Sequence, residues 1–124
     1  MTTLRSVRTE VGMLSGGQRQ AVAIARSLLG DPELVMLDEP TAALGIVQTA
    51  QILKLIERLR DRGLGVIVIS HNLADVFQVA DRIAVLRLGR LTETFDARQA
   101  SRERVVAAIT GADEQERKTE EAEL

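Results

Sequence analysis

Met13-Leu14-Ser15-Gly16-Gly17-Gln18-Arg19-Gln20, then an apolar helical stretch, then Val35-Met36-Leu37-Asp38-Glu39-Pro40-Thr41: the run from 13 to 41 decides how this chain is read. Its first end sets a hydroxyl and two glycines where a helix begins. Glycines let an anion approach the backbone, and the unsatisfied amides and positive end of a helix attract it. Its second end delivers two adjacent carboxylates where a short apolar run stops. A carboxylate there can hold Mg²⁺, a hard cation that favours oxygen and phosphate ligands, and its neighbour can polarise a water. Together the two ends point to nucleotide hydrolysis.

Each half also has a plainer meaning. Ser15-Gly16-Gly17 serves equally as a helix cap with a flexible lead-in. Asp38-Glu39 serves equally as a charged turn, although the wholly apolar Leu34–Leu37 and the stiff Pro40 favour a built site. Between them Ala21, Val22, Ile24, Ala25, Leu28 and Leu29 keep helical spacing, and Gly30-Asp31-Pro32 stops the helix. Leu34 to Leu37 predicts a strand buried on both faces.

Working outward, Ile52, Leu55, Ile56 and Leu59 fall at i, i+3, i+4 and i+7 and predict the longest helix, ended by Gly63 and Gly65. Val66 to Ile69 predicts a second buried strand, which leads into Ser70-His71. Asn72 to Ala80 reads as a short helix. Arg82–Leu88 and Arg90–Phe95 read as strands about Gly89. Arg102–Ile109 reads as a helix with Val105, Val106 and Ile109 inward. Residues 112–124 hold six acids against Arg117 and Lys118 with few apolar groups, which predicts a disordered, solvated tail. Alternating strands and helices predict an α/β layered fold with a mostly parallel sheet flanked by helices. Ligand sites in such sheets lie beyond the carboxyl ends of the strands, where Asp38-Glu39 and His71 both fall. A lone histidine is commonly structural; at a strand end beside two acids it can instead bond a phosphate oxygen or fix a water.

Composition narrows the function classes. Phe77 and Phe95 are the sole aromatic residues, so recognition of nucleic acid by base stacking has little to work with. A formal charge of −2 argues against a general polyanion binder. The absence of cysteine removes disulfides and thiolate metal sites. No apolar run approaches the ~20 residues that span a bilayer.

These residues, taken in order, resemble the second half of the ATP-binding cassette of an ABC transporter, which implies a partial P-loop NTPase-like fold. Leu14-Ser15-Gly16-Gly17-Gln18 resembles the family signature, Val35 to Glu39 the Walker B strand, and His71 in Val-Ile-Ser-His the switch histidine. Ala80-Asp81-Arg82-Ile83 through Gly89-Arg90 resembles the strand pair that follows. The resemblance implies Asp38 for Mg²⁺ through water, Glu39 as general base, His71 at the γ-phosphate, and Ser15, Gly16, Gly17 and Gln18 at a nucleotide shared across a head-to-tail dimer with a second cassette. It further implies ATP as substrate, transmembrane permease subunits as partners, no nucleic acid, and a cytoplasmic place on the inner face of the membrane. Ser6-Val7-Arg8 and Thr41 to Gly45 with Gln48-Thr49 resemble the simple-sugar importers.

Two departures stand beside it. No Gly-x-x-x-x-Gly-Lys-Ser/Thr occurs; Gly12 and Gly17 have the glycine spacing but Gln18-Arg19 follow, with neither the phosphate-binding lysine nor the Mg²⁺ hydroxyl. Gly45 stands where the family's D-loop has an aspartate. The expectation is a truncated cassette over residues 1–111 with an acidic tail, inactive alone, whose strands lack neighbours and expose apolar faces.

Overall fold

A computed structural model describes residues 7–10, 12 and 14–123. Met13 of the signature stretch, and Ser6 of the sugar-importer resemblance, lie outside the described residues. The elements run α1 (Gly16–Ser27), β1 (Leu34–Asp38), α2 (Ile46–Asp61), β2 (Gly65–Ile69), α3 (Leu73–Val79), β3 (Arg82–Arg87), β4 (Arg90–Asp96), α4 (Arg102–Thr110) and α5 (Ala112–Glu123). They form two compact units, one ending at Val79 and one beginning at Ala80.

In the first unit β1 and β2 pair in parallel, with Leu34 opposite Gly65 and Asp38 opposite Ile69. A parallel pair needs a crossover, and α2 supplies it. The helices α1 and α2 bring Ala21, Ile24, Ile52, Leu53, Ile56 and Leu59 onto Leu37 of β1 and Val79 of α3. Val66 and Val68 of β2 pack against the same cluster.

The expected burial of β1 on both faces does not hold. Val35 and Leu37 are buried, whereas Leu34, Met36, Ile67 and Ile69 remain exposed. The reason is cover: the α1–α2–α3 core meets one side of a two-stranded ladder. An apolar run tells that a face wants burial, not that anything buries it. The exposed apolar faces expected for a ladder without its neighbours are therefore present.

In the second unit β3 and β4 pair antiparallel around Leu88-Gly89, both with left-handed φ (51° and 77°), as a tight two-residue hairpin turn requires. Ile83, Val85 and Phe95 of this ladder and Val105 and Ala108 of α4 are buried. Val106 and Ile109, expected inward, are exposed at 41% and 46%; Ala108 takes the inward position instead.

The segment expected to be a disordered tail carries helix α5. Its Glu, Gln, Lys and Ala residues are strong helix formers, which burial-based reasoning overlooks. Gly111 makes the corner between α4 and α5 at φ 77°, and the Arg87 guanidinium lies where a β-carbon would stand, so a side chain there meets both backbone strain and a clash. Arg87 Nη1 then donates to Glu114 Oε2 at 2.8 Å and ties the first turn of α5 to β3.

Candidate functional site

Asp38 is the last residue of β1, and its side chain is solvent-exposed. The main chain continues the ladder by one more rung: the Glu39 N–H donates to the Ile69 carbonyl at 2.7 Å. Glu39 then takes a left-handed φ of 49°, which a non-glycine residue seldom adopts. A turn follows, in which the Ala42 N–H donates to the Glu39 carbonyl at 3.2 Å, around a fully buried Pro40.

From the end of β2, Ser70-His71-Asn72 leads into α3. The Asn72 side-chain oxygen accepts from the Asp75 N–H at 3.2 Å, and Ser70 Oγ accepts from the Asn72 N–H at 3.1 Å. The two strand ends thus meet: His71 Nδ1 lies 2.7 Å from Glu39 Oε1. The bond to Glu39 and the charge of that carboxylate raise the His71 pKa above its ordinary value, against a weak opposing effect of burial. The imidazole is 85% exposed, so solvent screens the pair.

Ser15, Gly16, Gly17 and Gln18 stand elsewhere, at the start of α1. Ser15 Oγ accepts from the Gln18 N–H at 3.1 Å, and Gln18 Oε1 accepts from the Ser15 N–H at 3.0 Å, a reciprocal cap. Gly16 is exposed where an anion can meet the start of the helix, whereas Gly17 is buried. Gly17 has a packing role as well: a β-carbon there would stand 3.0 Å from Cγ of Gln48 in α2. The Gly45 N–H donates to Gln48 Oε1 at 3.3 Å, so Gln48 links the first turn of α1 to Gly45.

Of the three residues expected together at the strand ends, the structure joins Glu39 and His71 side chain to side chain, while Asp38 stands at the end of β1, next to Glu39 in sequence. Sequence reasoning named Gln48 only within the sugar-importer resemblance, not as a neighbour of Gly17 and Gly45, and it missed the contact of Thr41 Oγ1 with Asp75 Oδ2 at 2.8 Å. The Asn72-x-x-Asp75 spacing, a side-chain cap on α3, was the available signal for that loop. A concavity lined by Asp31, Glu33, Leu59 and Arg62 opens at the amino ends of β1 and β2, the wrong ends for this chemistry. Phosphate chemistry follows charge and hydrogen-bond geometry, which the carboxyl ends of the strands supply through Asp38, Glu39 and His71.

Mg²⁺ fits the residues present in a limited way. Among the described residues no three His, Cys, Asp or Glu side chains converge as a metal cage. A single exposed carboxylate suits an ion that takes one or two protein oxygens and completes its shell with water and phosphate. Among the same residues no helix is long and apolar enough to cross a membrane.

Residues 2–42 match the family model described as ABC transporter. The fructose import ATP-binding protein FrcA of Rhizobium meliloti is 44% identical over 114 residues, 92% of this chain and 44% of that protein. The chain belongs to the ABC transporter ATPase family. A probable D,D-dipeptide transport ATP-binding protein, DdpF of Escherichia coli, is 49% identical over 86 residues, 68% of this chain and 28% of its own length. A solved dimeric ABC cassette bound to ADP and phosphate, in a post-hydrolysis state, superposes with a TM-score of 0.62 at 33% identity, covering 72% of this chain and 38% of its own. The chain spans less than half the length of these ABC relatives.

Proposed function

We propose that this chain is the signature-to-switch portion of the ATP-binding subunit of an ABC importer, and that the imported solute is a simple sugar. The observation that carries the reading is the 2.7 Å pair of Glu39 and His71 beyond a parallel ladder whose neighbouring strand end bears Asp38. Glu39 Oε1 is engaged by His71, and its second carboxylate oxygen takes a proton from the attacking water. His71, charged below its raised pKa, offers its Nε2–H to a γ-phosphate oxygen while Nδ1–H holds Glu39. Asp38 holds Mg²⁺ through water; when bound, the ion neutralises charge on the phosphates.

Ser15, Gly16, Gly17 and Gln18 serve the nucleotide of a second cassette in a head-to-tail dimer. The phosphate cradle of this chain's own site comes from polypeptide outside residues 1–124, since no Gly-Lys-Ser/Thr sequence is present. The bare Leu34, Met36, Ile67 and Ile69 face is where that polypeptide packs. Transmembrane permease subunits complete the assembly on the cytoplasmic face of the membrane. The sugar reading is supported by the extent of the likeness to the fructose protein, 92% of this chain against 68% for the dipeptide protein.

A second reading is favoured by the self-contained cap of Ser15 and Gln18, which depends on no cradle. In it the chain offers only its signature face to an intact cassette, and ATP-dependent association without hydrolysis identifies it. For the leading reading, the isolated chain incubated with Mg-ATP releases negligible phosphate. Enzyme-like release that disappears in Glu39→Gln overturns the need for a separate cradle.

A further inference from the structure

Thr41 and Asp75 take no part in the chemistry above, yet their bond joins the loop that carries Glu39 to the first turn of α3, which follows His71. Thr41 lies two residues beyond Glu39, and Asp75 lies four beyond His71. Thr41 Oγ1 donates to Asp75 Oδ2 at 2.8 Å, a part-buried contact 34 residues apart in sequence. From Asp75 the connection continues back around the histidine. The Asp75 N–H reaches Asn72 Oδ1 at 3.2 Å, and the Asn72 N–H reaches Ser70 Oγ at 3.1 Å. Residues on both sides of His71 are thereby bonded into a network that ends on Thr41.

The Glu39 loop needs such an anchor. Glu39 and Ala43 both have left-handed φ, 49° and 61°, conformations that a non-glycine residue keeps only when its surroundings over-determine them. One end of the loop is held by the 2.7 Å bond of the Glu39 N–H to Ile69. Thr41 holds the other. The imidazole of His71 is 85% exposed, so burial does not orient it; the loop does.

We propose that Thr41 and Asp75 form a clamp between the Glu39 loop and the start of α3 and are positioning residues for the Glu39–His71 pair. This rests on the assignment of that pair made under Proposed function. His71 is the sole histidine of the chain, so its imidazole gives one unambiguous NMR signal. Long-range ¹H–¹⁵N correlation on the full chain, at a pH where the ring is neutral, reads its tautomer. The bond to Glu39 selects the Nδ1–H form, whereas an unconstrained imidazole favours Nε2–H.

The wild type and Thr41→Ser, which keeps the hydroxyl, are expected to hold Nδ1–H as the major form. Thr41→Val and Asp75→Ala are expected to lower the Nδ1–H to Nε2–H ratio about fivefold, the factor carried by one ordinary hydrogen bond. The double variant goes no further than either single one. Backbone amide spectra identify any variant that unfolds, and the ratio is taken from the one that remains folded. An unchanged ratio in a folded Thr41→Val or Asp75→Ala, beside a lowered ratio in Glu39→Ala, overturns the clamp and leaves the pair standing. A wild type already rich in Nε2–H, or a Glu39→Ala ratio equal to wild type, overturns the pair itself and the clamp with it.

Discussion

Val35 and Leu37 are 5% and 7% exposed, whereas Leu34 and Met36, on the opposite face of the same strand, are 52% and 64% exposed. The four side chains are equally apolar, so chemistry alone does not separate them. The difference is what the rest of the chain brings: α1, α2 and α3 cover one face, and no described element covers the other. By strand alternation Asp38 continues the Leu34–Met36 row, so the bare face runs directly up to the acid proposed for Mg²⁺. Whatever polypeptide covers that face also arrives beside Asp38. On the proposed reading, the polypeptide that covers the open side of the fold is also the one that supplies the phosphate cradle.

The comparison breaks or holds first on stability. Leu37→Ala on the covered face is expected to cost about 2–5 kcal/mol in urea unfolding, the usual range for emptying a packed aliphatic site. Met36→Ala on the bare face is expected to stay within about 0.5 kcal/mol, as exposed substitutions do. Equal costs at both positions would mean that the bare face is covered in solution, and light scattering would show whether a second copy of the chain covers it. Ser15→Ala removes the cap of α1 and is expected to cost the isolated chain about 1 kcal/mol.

The smallest effect lies at the end of the ladder. Because Glu39 raises the pKa of His71, their pair stabilises the fold in full below about pH 6.5, the ordinary histidine value, and loses that contribution as pH rises through the raised one. The stability difference between wild type and His71→Ala should therefore shrink between pH 6 and pH 9. With the imidazole so exposed, added salt should shrink it as well. A difference that grows with pH contradicts the assigned partner.

These contrasts also mark what the sequence could tell. α1, β1, α2 and β2 were legible because each has its own period and its own punctuation, from Ser15 to Gly30 and from Gly45 to Gly65. The meeting of Glu39 and His71 was legible because both follow apolar strands, and parallel strands place their carboxyl ends together. The left-handed backbone of Glu39 was not, since glutamate gives no local sign of it. Neither was the bond of Thr41 to Asp75, which the pairing of β1 with β2 creates across 34 residues. Helix α5 was missed because burial was weighed and intrinsic helix propensity was not. Its anchor, Glu114 on Arg87, is again a contact between distant positions.

Most direct is a complementation assay, in which this chain is refolded with a separate polypeptide carrying the amino-terminal, P-loop part of a related sugar-importer cassette and phosphate release from Mg-ATP is followed. The account predicts hydrolysis by the mixture alone, reduced about 10²–10⁴-fold when Glu39→Gln removes the base. Hydrolysis that is indifferent to Glu39→Gln would contradict it.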